Sequence, residues 1–157
     1  MTRSPSCTFT DSSFSGTYRG LVDCIPYIKS LGVTAIELLP VFDFDENETL
    51  YSNSKQRQSL LNYWGYSPLL FFAPKQNYSA DVQDSVQEFK SMVDEFHQAG
   101  LDIWLDVVFN HTAEFGADGP VDHLKSLAAE QWYLLENDGS YLNFSGCGNT
   151  LKCAHTV

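Results

Sequence analysis

Two segments of the chain repeat one order of apolar and polar positions. In the first, Leu21, Val22, Ile25, Ile28 and Leu31 recur at the spacing of one helix face. Gly32 follows, and the apolar run 33–41 (VTAIELLPV) comes next, stopped by Pro40. In the second, Val86, Phe89, Val93 and Phe96 mark a helix over 85–99, with Asp81 and Asp84 near its positive N-terminus. Gly100 follows, and 101–112 (LDIWLDVVFNHT) is again almost wholly apolar until Asn110 and His111. Each glycine stands where a helix adopts a left-handed C-terminal cap. Pro26 lies inside the first helical pattern, so that helix either kinks there or begins its regular part there.

An apolar run of this length suits a strand buried on both faces, as in a parallel sheet covered by helices. Helix–glycine–strand repeated twice predicts an α/β protein, either a doubly wound sheet or a barrel. Between the repeats, 42–83 is a long connection, acidic at first and aromatic toward its end. Tyr63, Trp64, Tyr66, Phe71 and Phe72 predict that its second half is ordered. Beyond the second strand, 113–157 reads as loop, with a short helix near 121–132 and a turn at Asp138-Gly139. Two parallel strands leave two sheet edges unpaired, and a complete (β/α)8 barrel takes about 250 residues. The expectation is a piece of a larger protein.

Composition narrows the partners. A net charge of −11 argues against nucleic acid and anionic membrane surfaces, both of which need a basic patch. A neutral polar ligand fits that balance, and abundant aromatic residues suit sugar faces as well as cores. The N-terminus MTRSPSCTFT lacks the apolar centre of a signal peptide, and no run is long enough to span a bilayer. Cys7, Cys24, Cys147 and Cys153 are too sparse for a disulfide scaffold, and Cys24 reads as a buried thiol. Cys147, Cys153 and His155 match no common zinc spacing, so no metal site is expected from them.

Polar groups at the exit of a buried strand are where α/β proteins carry their chemistry. Asp106 lies within the second run, and a carboxylate there must be paired or hydrogen-bonded. By itself this pattern also describes a satisfied structural Asp followed by an exposed Asn-His turn. Neutral His and Asn can meet sugar hydroxyls with directional hydrogen bonds, while Tyr or Trp can cover the apolar face of the ring. Tyr66 admits both stacking and loop packing, and Trp64 reads as packing.

GLVDCIPYIKSLGVTAIELLPVFDFDE, NYWGYSPLLFFAPKQNYS, DVVFNHTAE and YLNFSGCGNTLKC together resemble glycogen and starch debranching enzymes of the isoamylase type. These are members of the α-amylase family of glycoside hydrolases. The resemblance runs in order from Thr2-Arg3 to Cys153. DVVFNH is specific to the broad family and SGCGNTL to the isoamylase branch. It implies a partial (β/α)8 barrel, with residues 1–157 an incomplete N-terminal part of the catalytic domain. This part covers about strands two and three, their helices and the loop after strand three. It implies hydrolysis of α-1,6 branch linkages in glycogen, amylopectin or limit dextrin. His111 would bind sugar hydroxyls next to the scissile bond, and Tyr66 would stack under the same sugar. Asp106 would brace the active-site network, and Asn110 would hold the loop after the strand.

Retaining hydrolysis needs two carboxyls roughly 5 Å apart. In the family the nucleophile lies in an FRFD-like motif on strand four, and the acid follows strand five. No FRFD-like motif occurs here, so no catalytic residue is assigned and the chain alone is expected to be inactive. The family's strand-one segment would precede Thr2 and is also missing. Cys153-Ala154-His155-Thr156 and VDHLKSL depart from the family's usual CNHP and Phe-Arg-Gly segments, so the family's substrate contacts from that loop are not carried over. An alternative from another class is a noncatalytic α-glucan-binding subunit, like the isoamylase homologues that serve as regulatory partners. No cofactor is expected. Some relatives bind calcium through an Asn at the position of Asn110 and a separate loop domain, which is not evident here. A glycan on the Asn110 sequon would sit beside the sugar site, so cytoplasm or plastid is the expected compartment.

Overall fold

A computed structural model describes residues 12–48 and 61–154. The chain forms two compact units, Met1–Val41 with Phe72–Asp106, and Phe42–Phe71 with Val107–Val157.

The first unit holds both helix–strand repeats. Helix α1 (Tyr18–Val22) starts at Thr17, whose side chain accepts a hydrogen bond from the Gly20 amide. Gly20 has no alternative: a Cβ there would lie 2.1 Å from the Phe14 carbonyl oxygen. The periodic segment 21–31 is two helices, because Pro26 carries no N–H and its ring would clash with the Val22 carbonyl in a continuous helix. The chain breaks at Asp23 and Cys24, and α2 (Ile25–Ser30) restarts with Pro26 in its first turn. Gly32 and Gly100 end α2 and α3 (Ser85–Gln98) with φ of 75° and 76°. At the second site the Gly100 amide donates to His97 O and the Leu101 amide to Phe96 O, a complete Schellman cap. Leu101 then packs against Phe96, so the cap also aims the chain into the core.

Strands β1 (Ala35–Leu38) and β4 (Asp102–Leu105) pair in parallel, Ala35 opposite Asp102 through Leu38 opposite Leu105. The ladder continues past β4, where the Asp106 amide donates to Leu38 O. Tyr18, Leu21, Cys24, Leu38, Met92, Phe96 and Leu101 form the core, and Ile36 and Ile103 pack on it. Cys24 is buried, as its place in the pattern predicts. Across one face Tyr18 meets Phe89 edge-on, its ring 5.3 Å away, and its hydroxyl donates to Lys75 O.

The expectation that β4 is buried on both faces fails. Trp104 is 63% exposed, and Leu105 is also exposed. β4 has a single strand neighbour among the described residues, and of its side chains only Ile103 packs on the core. The residue pair Glu37 and Trp104 points the other way. Apolar content alone does not bury a strand.

In the second unit β2 (Phe42–Asp43) accepts a hydrogen bond from the Leu69 amide at Asp43 O, and β3 (Leu70–Pro74) carries the chain onward into the first unit. Phe42, Phe71 and Phe109 form a ring cluster with centroids 5.6–6.0 Å apart. Helix α4 (Leu124–Trp132) matches the expected short helix but is kinked at Ala128, whose φ of −171° and ψ of 83° are not helical. After it the chain doubles back at the predicted Asp138-Gly139 turn, with Gly139 at φ 84° and the bridge Leu135–Tyr141 closing the hairpin.

Candidate functional site

The site grows from the turn after the second apolar run. His111 is only 6% exposed. Its Nε2 lies 2.9 Å from the Tyr66 carbonyl oxygen and its Nδ1 lies 2.9 Å from Asn110 Oδ1. A carbonyl only accepts, so Nε2 carries a proton and donates to Tyr66. Burial pushes the His111 imidazole below its ordinary pKa, and the Tyr66 carbonyl opposes this only in part. A neutral ring protonated at Nε2 has a lone pair at Nδ1. The atom placed opposite that lone pair is Asn110 Oδ1, an acceptor, so the neutral ring is matched once the Asn110 amide is turned over to present its NH2 group. Both ring nitrogens are therefore held by the protein, and a hydroxyl that reaches the ring must exchange with one of them.

The YWGY turn is built by backbone geometry. Gly65 sits at φ 76°, and its amide donates to Asn62 Oδ1. Downstream, Ala113 donates its amide to Pro68 O, so this loop and the segment after His111 are tied together. Tyr66 is exposed, its carbonyl committed to His111 and its ring open to solvent on part of its face. Trp64 departs from the expectation of a packing aromatic. It is 61% exposed and meets Tyr63 edge-on at 5.8 Å, because Gly65 turns the chain and leaves it outside the loop.

Of the four residues singled out from the sequence, Tyr66, Asn110 and His111 come together in the second unit. Asp106 belongs to the first unit, half-buried at the exit of β4. Cys153 is exposed, with its thiol 3.2 Å from Phe109 O, and His155 lies outside the described residues.

Sequence reading missed the polar framework around His111. Thr112 is buried, and its hydroxyl is 2.7 Å from the Tyr133 hydroxyl. Tyr133 donates in turn to Glu114 Oε2 at 2.5 Å. Glu114, 1% exposed, also accepts from the amides of Asp122, His123, Leu124 and Lys125. These amides lie at the start of α4, where unpaired N–H groups and the helix dipole favour a carboxylate. Burial alone would raise the Glu114 carboxyl, but bonds from Tyr133 and from the His123, Lys125 and Asp122 amides outweigh it and hold its pKa low. The same burial raises the Tyr133 phenol, reinforced by its bond to Glu114. The Lys125 ammonium donates to the carbonyls of Glu114, Gly116 and Gly119. One signal in the sequence was available: an acidic residue ten positions before a helix start is too far for a local cap, but its place two residues after NHT ties it to the site.

These features define a class of protein. A model of the alpha-amylase catalytic domain matches residues 5–141, and the chain belongs to the alpha-amylase family. Isoamylase SU1 of Zea mays is 42% identical over 147 residues, which cover 90% of this chain and 18% of that protein. Glycogen debranching enzyme of Enterobacter sp. (strain 638) is 42% identical over 142 residues, covering 89% of this chain and 21% of that protein. Among solved structures, pullulanase from Anoxybacillus sp. LM18-11 complexed with maltotetraose superposes with a TM-score of 0.70 at 28% identity. That match covers 90% of this chain and 21% of the pullulanase. The chain thus spans about a fifth of these relatives' length. The fold is a partial (β/α)8 barrel, and β1 and β4 are two adjacent parallel strands of it.

Proposed function

We propose that this chain is part of an α-1,6-glucan debranching glycosidase acting on glycogen, amylopectin or limit dextrin, and that it supplies one wall of the substrate site. The observation that carries this is 42% identity over nine-tenths of the chain to proteins named isoamylase and glycogen debranching enzyme. His111 binds sugar hydroxyls, and Tyr66 covers the apolar face of the same ring. Asn110 fixes the imidazole, and Asp106 braces the network. The nucleophile and acid belong to segments that this sequence does not contain, so the chain by itself releases no reducing ends. No cofactor takes part. The protein works in a plastid or in cytoplasm, and the name of the maize relative, which is called chloroplastic, supports the plastid.

The roles of His111 and Tyr66 rest on complementary chemistry. A neutral, buried imidazole offers a directional hydrogen bond without a charge to desolvate, and an exposed phenol ring offers a flat apolar surface. The test is a chimera in which residues 5–141 replace the matching segment of the maize isoamylase. The expected result is release of reducing ends from amylopectin, with kcat/KM reduced by about 100-fold or more in His111→Ala, in line with the loss of a transition-state hydrogen bond. Tyr66→Ala should lower kcat/KM chiefly through KM. A folded chimera that binds no branched glucan would overturn the reading.

A further inference from the structure

We propose that Asn149 is a positioning residue for His111, acting as a clamp that holds the backbone on both sides of the imidazole. This deepens the reading given under Proposed function and names a residue to which that reading assigns nothing.

Asn149 is 0% exposed, yet a buried primary amide must find partners for two N–H groups and a carbonyl. All its partners lie in the segment after His111. Its Oδ1 accepts from the Thr112 amide at 3.0 Å. Its Nδ2 donates to Thr112 O at 3.0 Å and to Phe115 O at 2.9 Å, with Thr112 Oγ1 at 3.3 Å. Two residues further on, the Leu151 amide donates to Asn110 O at 2.9 Å. The residues immediately before and after His111 are thus gripped from the same short segment, 149–151. A hydrogen-bonded amide pair at Thr112 fixes both its N–H and its C=O, which leaves the His111 ψ little freedom.

Local structure keeps the amide in place. Gly146 and Gly148, at φ 78° and 96°, bend the SGCGNT segment back on itself. The Gly148 amide donates to Asn143 Oδ1, and the Ser145 hydroxyl donates to Asn149 O. Gly148 also approaches Phe115 and Gly116 so closely that a Cβ would lie 2.7 Å from the Gly116 nitrogen. An aspartate at 149 would keep the acceptor for Thr112 but turn an oxygen toward two carbonyls, and an alanine would leave three buried backbone groups unpaired.

The test uses the 157-residue chain, with His111 followed by NMR titration of its imidazole and maltotetraose as the binding probe. Asn149→Ala and the milder Asn149→Ser should release the ring toward solvent. Its apparent pKa should then rise toward the ordinary 6.5, and the slowly exchanging Nε2 proton should be lost. Gly139→Ala, at a turn that touches none of residues 110–112, should destabilise the same unit yet leave the His111 titration where it is. Maltotetraose should bind about tenfold more weakly to Asn149→Ser than to the unsubstituted chain. If the Asn149 variants do not fold, amide exchange in the unsubstituted chain decides: the Thr112 and Leu151 amides should be as protected as the Leu142 amide. An unchanged His111 titration in a folded Asn149 variant, or free exchange at Thr112, overturns the proposal. A chain that binds no maltotetraose but shows the shifted titration sinks the glucan reading and leaves the clamp standing.

Discussion

Glu114 shows how one buried charge organises a loop. A carboxylate that is almost fully covered is tolerable only when its lone pairs are met, and here the amides that open α4 and the Tyr133 hydroxyl meet them. Glu114→Gln keeps the shape but turns an NH2 group toward donors, so it should destabilise the second unit by about 2 kcal/mol, read from its urea midpoint. The pH dependence follows from the sign of the shift. The folded carboxyl is held below its ordinary value of 4.5, so its contribution is fully present above about pH 4.5 and is lost as pH falls through the lower folded value. The stability difference between the native chain and Glu114→Gln should therefore be flat near neutrality and shrink in acid. A difference that stays constant down to pH 3 would contradict this account.

At the scale of elements, glycines separate conformational cost from packing cost. Gly100 needs a positive φ to close the Schellman cap, but nothing lies within 4 Å of a Cβ built there. Gly100→Ala should cost about 1 kcal/mol, the price of the left-handed conformation alone. Gly148 combines positive φ with backbone atoms closer than 3 Å, so Gly148→Ala should cost well over twice as much in the same denaturation experiment. Equal losses at the two sites would mean that the loop after His111 gives way easily. In the sequence Gly100 was visible as a helix cap and Gly148 only as part of the SGCGNTL segment. The cap at Gly100 was legible because its partners are local, whereas the crowding at Gly148 comes from Phe115 and Gly116, more than thirty positions away.

At the scale of the whole molecule, the −11 charge and the exposed apolar side chains work against each other. Charge keeps chains apart, while Trp104 and Leu105 present apolar surface in the first unit and Val107 and Phe109 in the second. The native chain should therefore enhance the fluorescence of an apolar dye such as ANS without denaturant. Trp104→Lys should reduce that signal and leave the unfolding midpoint nearly unchanged, since position 104 faces away from the core and would stand opposite Glu37. A large loss of stability in this variant would show that the tryptophan packs in solution.

The sequence by itself determined what depends on neighbours along the chain. Helical spacing gave one face over 21–31 and another over 85–99, Pro26 marked a kink or a fresh start in the first, and Gly32 and Gly100 marked the strands to come. DVVFNH and YWGY named Asn110, His111 and Tyr66, and their family. Tertiary structure decided what depends on residues far apart in number. It left Trp104 and Leu105 of β4 exposed and joined the Tyr66 carbonyl to His111 across 45 positions. It also turned Asn149 toward Thr112 across 37 positions. No periodicity reports such pairings, because a buried amide or carboxylate is satisfied by whichever groups the folded backbone brings to it. The apolar run that ends in Asn110 and His111 was readable as a candidate site, but what holds the histidine still was not.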